Sequence, residues 1–228
     1  MLTKRKHISK KEMKEDRLVT SYYQAVKFFD QYKSQLYIYA VVFVVVVAGV
    51  YWYMSQKAAK NEKANVELSR VMGLYDSGAY QEAIDGRAGT NVIGLKKIVE
   101  EYGSTENGET AKIFLANSYD MLGKFDDAYK YYNDYSGSSD MFKAAALAGK
   151  ASYFEAKNEL EKAADSFRDA AHVSKENVNN ADYLLNAGID YFKSGAAEKA
   201  MEQFKKVKDE YKTSIAAREA DQYLALSK

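Results

Sequence analysis

The residues best able to do chemistry in this chain of 228 are its two histidines, His7 and His172, and there is no cysteine to join them. A nucleophilic centre would need one imidazole beside a positioned hydroxyl and carboxylate; a histidine metal site would need both together. His7 stands in a basic amino-terminal stretch and His172 far along a helical repeat, with a long apolar run between them. The two are not expected to meet. A lone helical histidine reads as a packing or surface residue. The glycine-rich GRAGTNVIG, residues 86–94, could approach a phosphate, but it lacks the Gly-Lys-Ser/Thr ending and the preceding strand of a phosphate loop. It reads as an insertion loop. Asp126 and Asp127 are adjacent carboxylates, yet they stand at a helix start, where acids complement the helix dipole. The 20 tyrosines read as packing before they read as a ligand cage. No catalytic, cofactor-binding or metal-binding residue is assigned, and no cofactor is expected. The expected chemistry is recognition.

The elements that position any binding surface start with LYIYAVVFVVVVAGVYWYM, residues 36–54, which open on Leu36 and close on Met54 without a charged side chain. As a helix rising about 1.5 Å per residue, this run nearly matches the roughly 30 Å hydrocarbon core of a bilayer. Tyr37 and Tyr39 stand at one end and Tyr51, Trp52 and Tyr53 at the other, as expected of rings at the two headgroup boundaries. The run is too long, and the 35 residues before it too many, for a cleaved export signal, and SQKAAKNEK after it offers no cleavage site. It is expected to stay as a single transmembrane helix in contact with lipid.

Charge suggests an orientation. Residues 1–35 carry nine Lys or Arg against four acids, a net of +5, while residues 55–228 carry 24 basic and 28 acidic side chains, a net of -4. A short basic tail favours the cytoplasm, placing the carboxyl-terminal domain outside it. An acidic domain also lacks the basic face that nucleic-acid binding requires. Within the tail, Leu18, Tyr22, Val26 and Phe29 recur at helical spacing, so residues 1–35 are expected to form a basic cytoplasmic tail with an amphipathic helix. Such a helix could rest on the inner leaflet or dock on a membrane protein.

Residues 111–135, 146–170 and 183–207 align with one another. In each block a small residue (Ala116, Ala151, Gly188) precedes an aromatic by three positions (Tyr119, Phe154, Tyr191). An alanine follows nine later (Ala128, Ala163, Ala200), and four after that another aromatic (Tyr132, Phe167, Phe204). Gly123, Asn158 or Gly195 lies between, of types able to end a helix in the left-handed conformation. A distorted earlier copy contains Gly78, Tyr80 and Ala83, interrupted at residues 84–94 before LKKIVEEYGST resumes its second helix. This pattern resembles the tetratricopeptide repeat. It implies an all-α chain: an amphipathic helix and transmembrane helix, a juxtamembrane linker at 55–63, then a repeat solenoid at 64–228. About four repeats are expected, closed by a carboxyl-terminal capping helix from Ile215 onward.

Tail, anchor and repeats together, including EDRLVTSYYQAVKFF before the anchor, resemble the YfgM-like family of ancillary subunits of the bacterial SecYEG translocon. That resemblance implies a protein-protein interaction scaffold in the inner membrane, its domain in the periplasm and periplasmic chaperones as companions. EYKTSIAAREADQYLA is also similar to repeats of BamD-like and CpoB-like envelope proteins, so a structural subunit or assembly factor of another envelope complex is the alternative. An enzyme with an unrecognised site is a third reading.

In tetratricopeptide arrays the first helices of successive repeats line the binding face. Transferred by register, the partner-binding candidates are Ile113, Asn117, Asp120, Ala148, Ser152 and Glu155, followed by Leu185, Ile189 and Phe192, which the closing helix could cover instead. The set lacks the Lys and Arg clamp that holds a peptide's terminal carboxylate. Truncating Asn117 and Glu155 together is expected to weaken partner binding while leaving stability unchanged.

Overall fold

The computed structural model describes residues 10–226, with side chains from residue 19 onward; His7 and the basic side chains at 4, 5, 6, 10, 11, 14 and 17 lie outside the described residues. Among the described residues the fold is all-helical, with ten α-helices and one isolated bridge between Gly86 and Ile93. The chain divides into two units, Met1–Gln56 and Lys57–Lys228.

Within the first unit the described residues form a single helix, the start of α1 (Lys10–Asp76). Its apolar stretch is long enough to cross a membrane, with mean hydropathy 2.1 in the most apolar window and none of that window buried. Val41, Val44, Val45, Tyr51 and Trp52 are all exposed. Tyr22, Val26 and Phe29 are exposed as well.

Residues 55–63, expected as a linker, are helical. SQKAAKNEK contains neither Gly nor Pro and is rich in helix formers, so nothing in it ends a helix. The compact second unit accordingly starts at Lys57. Ala64, Leu68, Val71 and Leu74 form a buried stripe at helical spacing, and the last three enter the first core cluster with Ile98, Leu115 and Tyr119. Asn61 fixes the start of this stripe: its Oδ1 accepts from the Asn107 backbone N–H at 2.8 Å.

The remaining helices are α2 (Tyr80–Asp85), α3 (Leu95–Tyr102), α4 (Glu106–Met121), α5 (Phe125–Asp134), α6 (Asp140–Ala156), α7 (Leu160–His172), α8 (Asn180–Lys193), α9 (Ala197–Glu210) and α10 (Ile215–Leu226). From α3 onward each helix packs on the next in the chain. The connections repeat one device. Gly78, Gly123, Asn158 and Gly195 all have positive φ, between 58° and 86°. The following N–H reaches back five residues each time: Ala79 to Leu74, Lys124 to Tyr119, Glu159 to Phe154 and Ala196 to Tyr191, at 2.8–2.9 Å. This capping satisfies carbonyls that the ending helix would otherwise leave bare, and it turns the chain into the next helix.

Small residues then allow close packing. Ala128, Ala163 and Ala200 are buried, as are Ala116 and Ala151. At Gly188 a Cβ would stand 2.5 Å from the Phe204 ring, so the glycine makes room for the aromatic of α9. The chain leaves helix at Asp85 and re-enters it at Leu95, around the segment read as an insertion.

Candidate functional site

The partner-binding candidates belong to α4 and α6, which pack on each other. The structure gives them unequal roles. Ile113 is only 2% exposed and belongs to the first core cluster, so it packs and does not present a surface. Ala148 is half-buried against Ala151, Phe167 and Ala187. Ser152 is half-buried.

Asn117 is occupied on both sides. Its Oδ1 accepts from the Tyr132 hydroxyl at 2.7 Å, and its Nδ2 donates to the Tyr75 hydroxyl at 3.3 Å. One amide thus ties α1, α4 and α5 together, which makes it a positioning group for the face it sits on.

Asp120 and Glu155 stand one residue before the ends of α4 and α6. Asp120 is half-buried, its Oδ1 has no hydrogen-bond partner, and burial raises its carboxyl above the usual range. Glu155 is an exposed residue whose carboxyl is also raised, chiefly by desolvation, with the Asp120 charge adding to the rise. The Lys193 ammonium and a hydrogen bond with Asp190 pull it the other way.

Asp190, on α8, was not among the candidates. It is 1% exposed, and among the described residues no N–H or hydroxyl donates to either carboxylate oxygen, which leaves the Glu155 carboxyl as its hydrogen-bonding neighbour. Lys193 Nζ approaches its Oδ1 at 3.9 Å. Burial and then the Glu155 charge push its carboxyl up to about 7, against the pull of Lys193. Glu155 thus feels the charges of both Asp120 and Asp190. The sequence held one signal for Asp190: it is the single charged residue in the run from 183 to 192.

The later candidates divide. Leu185 is buried and Ile189 half-buried in a cluster with Ala216, Ala217, Ala220 and Leu224 of α10. Phe192 remains 38% exposed while its ring meets Tyr223 edge to face.

Elsewhere, His172 Nε2 lies 2.7 Å from Lys206 Nζ on an exposed face. Asp126 and Asp127 occupy the first turn of α5, and Asp126 pairs with Lys157 at 3.0 Å. The glycines of residues 86–94 serve the loop's own closure: a Cβ on Gly94 would stand 2.2 Å from the Ile84 carbonyl oxygen. Among the described residues, no group of three His, Asp or Glu side chains is placed to hold a metal ion.

Compared with known proteins, the chain matches no family model, no curated protein and no solved structure.

Proposed function

We propose that this chain is a single-pass protein of the bacterial inner membrane whose helical domain is a tetratricopeptide-repeat scaffold, closed by α10 as a cap. In this reading the basic tail is cytoplasmic, α1 crosses the bilayer through residues 36–54, and the repeat domain lies in the periplasm. The scaffold attends the SecYEG translocon together with periplasmic chaperones and carries out no catalysis of its own.

The observation that carries the scaffold reading is the recurrence of one turn, with a left-handed residue at Gly78, Gly123, Asn158 and Gly195 and the same five-residue return bond each time. Repeats of this kind stack to bury a shared core and leave a long face for other proteins. Support for the anchor comes from the apolar exposure of α1, which water would penalise and lipid would not. The translocon assignment rests on the YfgM-like resemblance of tail, anchor and repeats.

The test is co-isolation of a tagged full-length chain from mildly solubilised membranes, with the partners identified. Translocon subunits and periplasmic chaperones are expected. Recovery of an outer-membrane or division assembly would replace that assignment, and recovery of no partner protein would remove the scaffold reading.

A further inference from the structure

The part of α1 that precedes the apolar span carries large apolar side chains on its surface: Tyr22, Val26, Phe28 and Phe29 are all at least 40% exposed. Their spacing is ordered. Taken in sevens, Tyr22, Phe29 and Leu36 fall at one position and Ala25 and Tyr32 at a second, the alternating three and four of a coiled-coil seam. Val26 and Phe28 flank that seam, with Lys33 and Gln35 at its rim. Gln24, Lys27, Asp30, Gln31 and Ser34, joined by Tyr23, take the positions that face away from it.

An amphipathic helix can instead lie on a bilayer, but here it would have to turn sharply from a span that crosses the same bilayer. Sharp kinks arise at Pro, at Gly/Ser pairs, at π-bulges or where a side chain or water enters the hydrogen-bond ladder. From Lys10 to Ala48 the chain has no Gly and no Pro, and it is α-helical without interruption. The seam therefore continues the span and stands off the bilayer, covering about 26 Å from Val19 to Leu36. Lipid does not reach most of it, so protein must cover it.

We propose that this face pairs in parallel with the same face of a second copy of the chain, Tyr22, Ala25, Phe29 and Tyr32 forming the buried seam. The inference rests on the single-pass reading above, because the anchor supplies what the seam needs. Two copies in one bilayer run parallel and meet the headgroups at the same depth, so identical positions stand opposite each other. Confinement to the membrane also raises the local concentration, which offsets the shortness of a seam of about two heptads.

The charges suit self-pairing. Lys27 and Asp30 face outward, and Lys33 Nζ lies 3.8 Å from Asp30 Oδ1 of its own helix, which balances it. Across a parallel seam, the flanking residue on one side meets the flanking residue five positions later on the other helix, which sets Lys33 of one copy beside Phe28 of the other. An ammonium beside a ring is favourable, and no like charges are brought together.

The chain has no cysteine, so single cysteines report contacts without background. The full-length protein is made with Ala25→Cys, Phe29→Cys or Tyr32→Cys on the seam and with Gln24→Cys, Lys27→Cys or Gln31→Cys off it, and isolated membranes are oxidised with copper phenanthroline. The seam positions are expected to give a disulfide-linked product of twice the chain's mass, at least about tenfold more than the outward positions. Two differently tagged copies should also co-purify in mild detergent. Phe29→Lys should cut that recovery at least about tenfold, and Lys27→Ala should leave it unchanged.

Equal cross-linking at all six positions, or none at any, would overturn the proposal. So would a seam product with the mass of a complex with a different protein, which would give the face to that protein. Seam thiols that form no links, and that react with a water-soluble maleimide only after detergent is added, would give the face to the leaflet. Alkaline carbonate extraction tests the anchor separately. A chain that resists extraction and forms no links overturns the pairing and leaves the anchor standing. A chain that is extracted, yet still links at the seam alone, supports the pairing and removes the anchor.

Discussion

The Tyr132 hydroxyl donates a 2.7 Å hydrogen bond to Asn117 Oδ1, joining the buried aromatic of α5 to the binding-face candidate of α4. Asn117 also donates to Tyr75, so its side chain holds three helices at once. Asn117→Ala is therefore expected to destabilise the domain by about 1–3 kcal/mol, because it leaves the buried Tyr132 hydroxyl without an acceptor. This replaces the expectation, drawn from register alone, that the truncation would leave stability unchanged. A double-mutant cycle with Tyr132→Phe checks it by thermal unfolding. Additive losses would mean the bond contributes nothing.

Enlarging a buried alanine tests the repeat register. Ala128, Ala163 and Ala200 are each at most 1% exposed, on α5, α7 and α9. Replacing one of them by leucine inserts three carbons where no space exists and should cost about 1–3 kcal/mol. Melting of residues 57–228 reports the loss, and an unchanged melting temperature for all three variants would show that these positions are not helix contacts.

What the sequence made legible was local and periodic. The left-handed turns at Gly123, Asn158 and Gly195 and the buried alanines follow from residue type and spacing, because backbone conformation and side-chain size act within a few positions. The apolar helix was legible for the same reason. Contacts between distant residues were not. The Tyr75–Asn117 bond spans 42 residues, and register says which face of α4 Asn117 occupies, not which hydroxyls meet it there. Ile113 shared a predicted face with Asn117 yet lies in the core, since neighbouring helices bury part of that face. Asp190 was missed because its significance comes from Glu155, 35 positions earlier by residue number, and from burial that no local pattern records.

The acidic set makes stability depend on pH in a definite direction. Asp190 is held at about 7 in the folded protein against an ordinary value of 3.8, so the native state favours its protonated form. The stability it contributes is present in full below about pH 4 and lost as pH rises through about 7. Asp120 and Glu155 are raised in the same sense and add to the loss. The melting temperature of residues 57–228 should fall between pH 5 and pH 8. Asp190→Asn should flatten that fall and raise the melting temperature at pH 8, by about 2–4 °C for each kcal/mol recovered. A variant whose pH profile runs parallel to the parent's would remove Asp190 as the cause.

The proposed orientation makes a separate prediction. The tail carries a net charge of +5 over residues 1–35 and the remainder beyond residue 54 a net of -4, the difference from which the proposed cytoplasmic tail is argued. Lys57, Lys60, Lys63 and Arg70 stand on the other flank, but in a compact acidic domain whose translocation charge influences little. Protease added to spheroplasts should therefore digest the helical domain and leave a small protected fragment that contains the tail and the apolar part of α1. An epitope placed after Lys228 should disappear at the same rate, while one placed before Met1 should survive until the inner membrane is lysed. Protection of the carboxyl-terminal epitope in intact spheroplasts would reverse the orientation, and with it the proposed place of the helical domain in the periplasm.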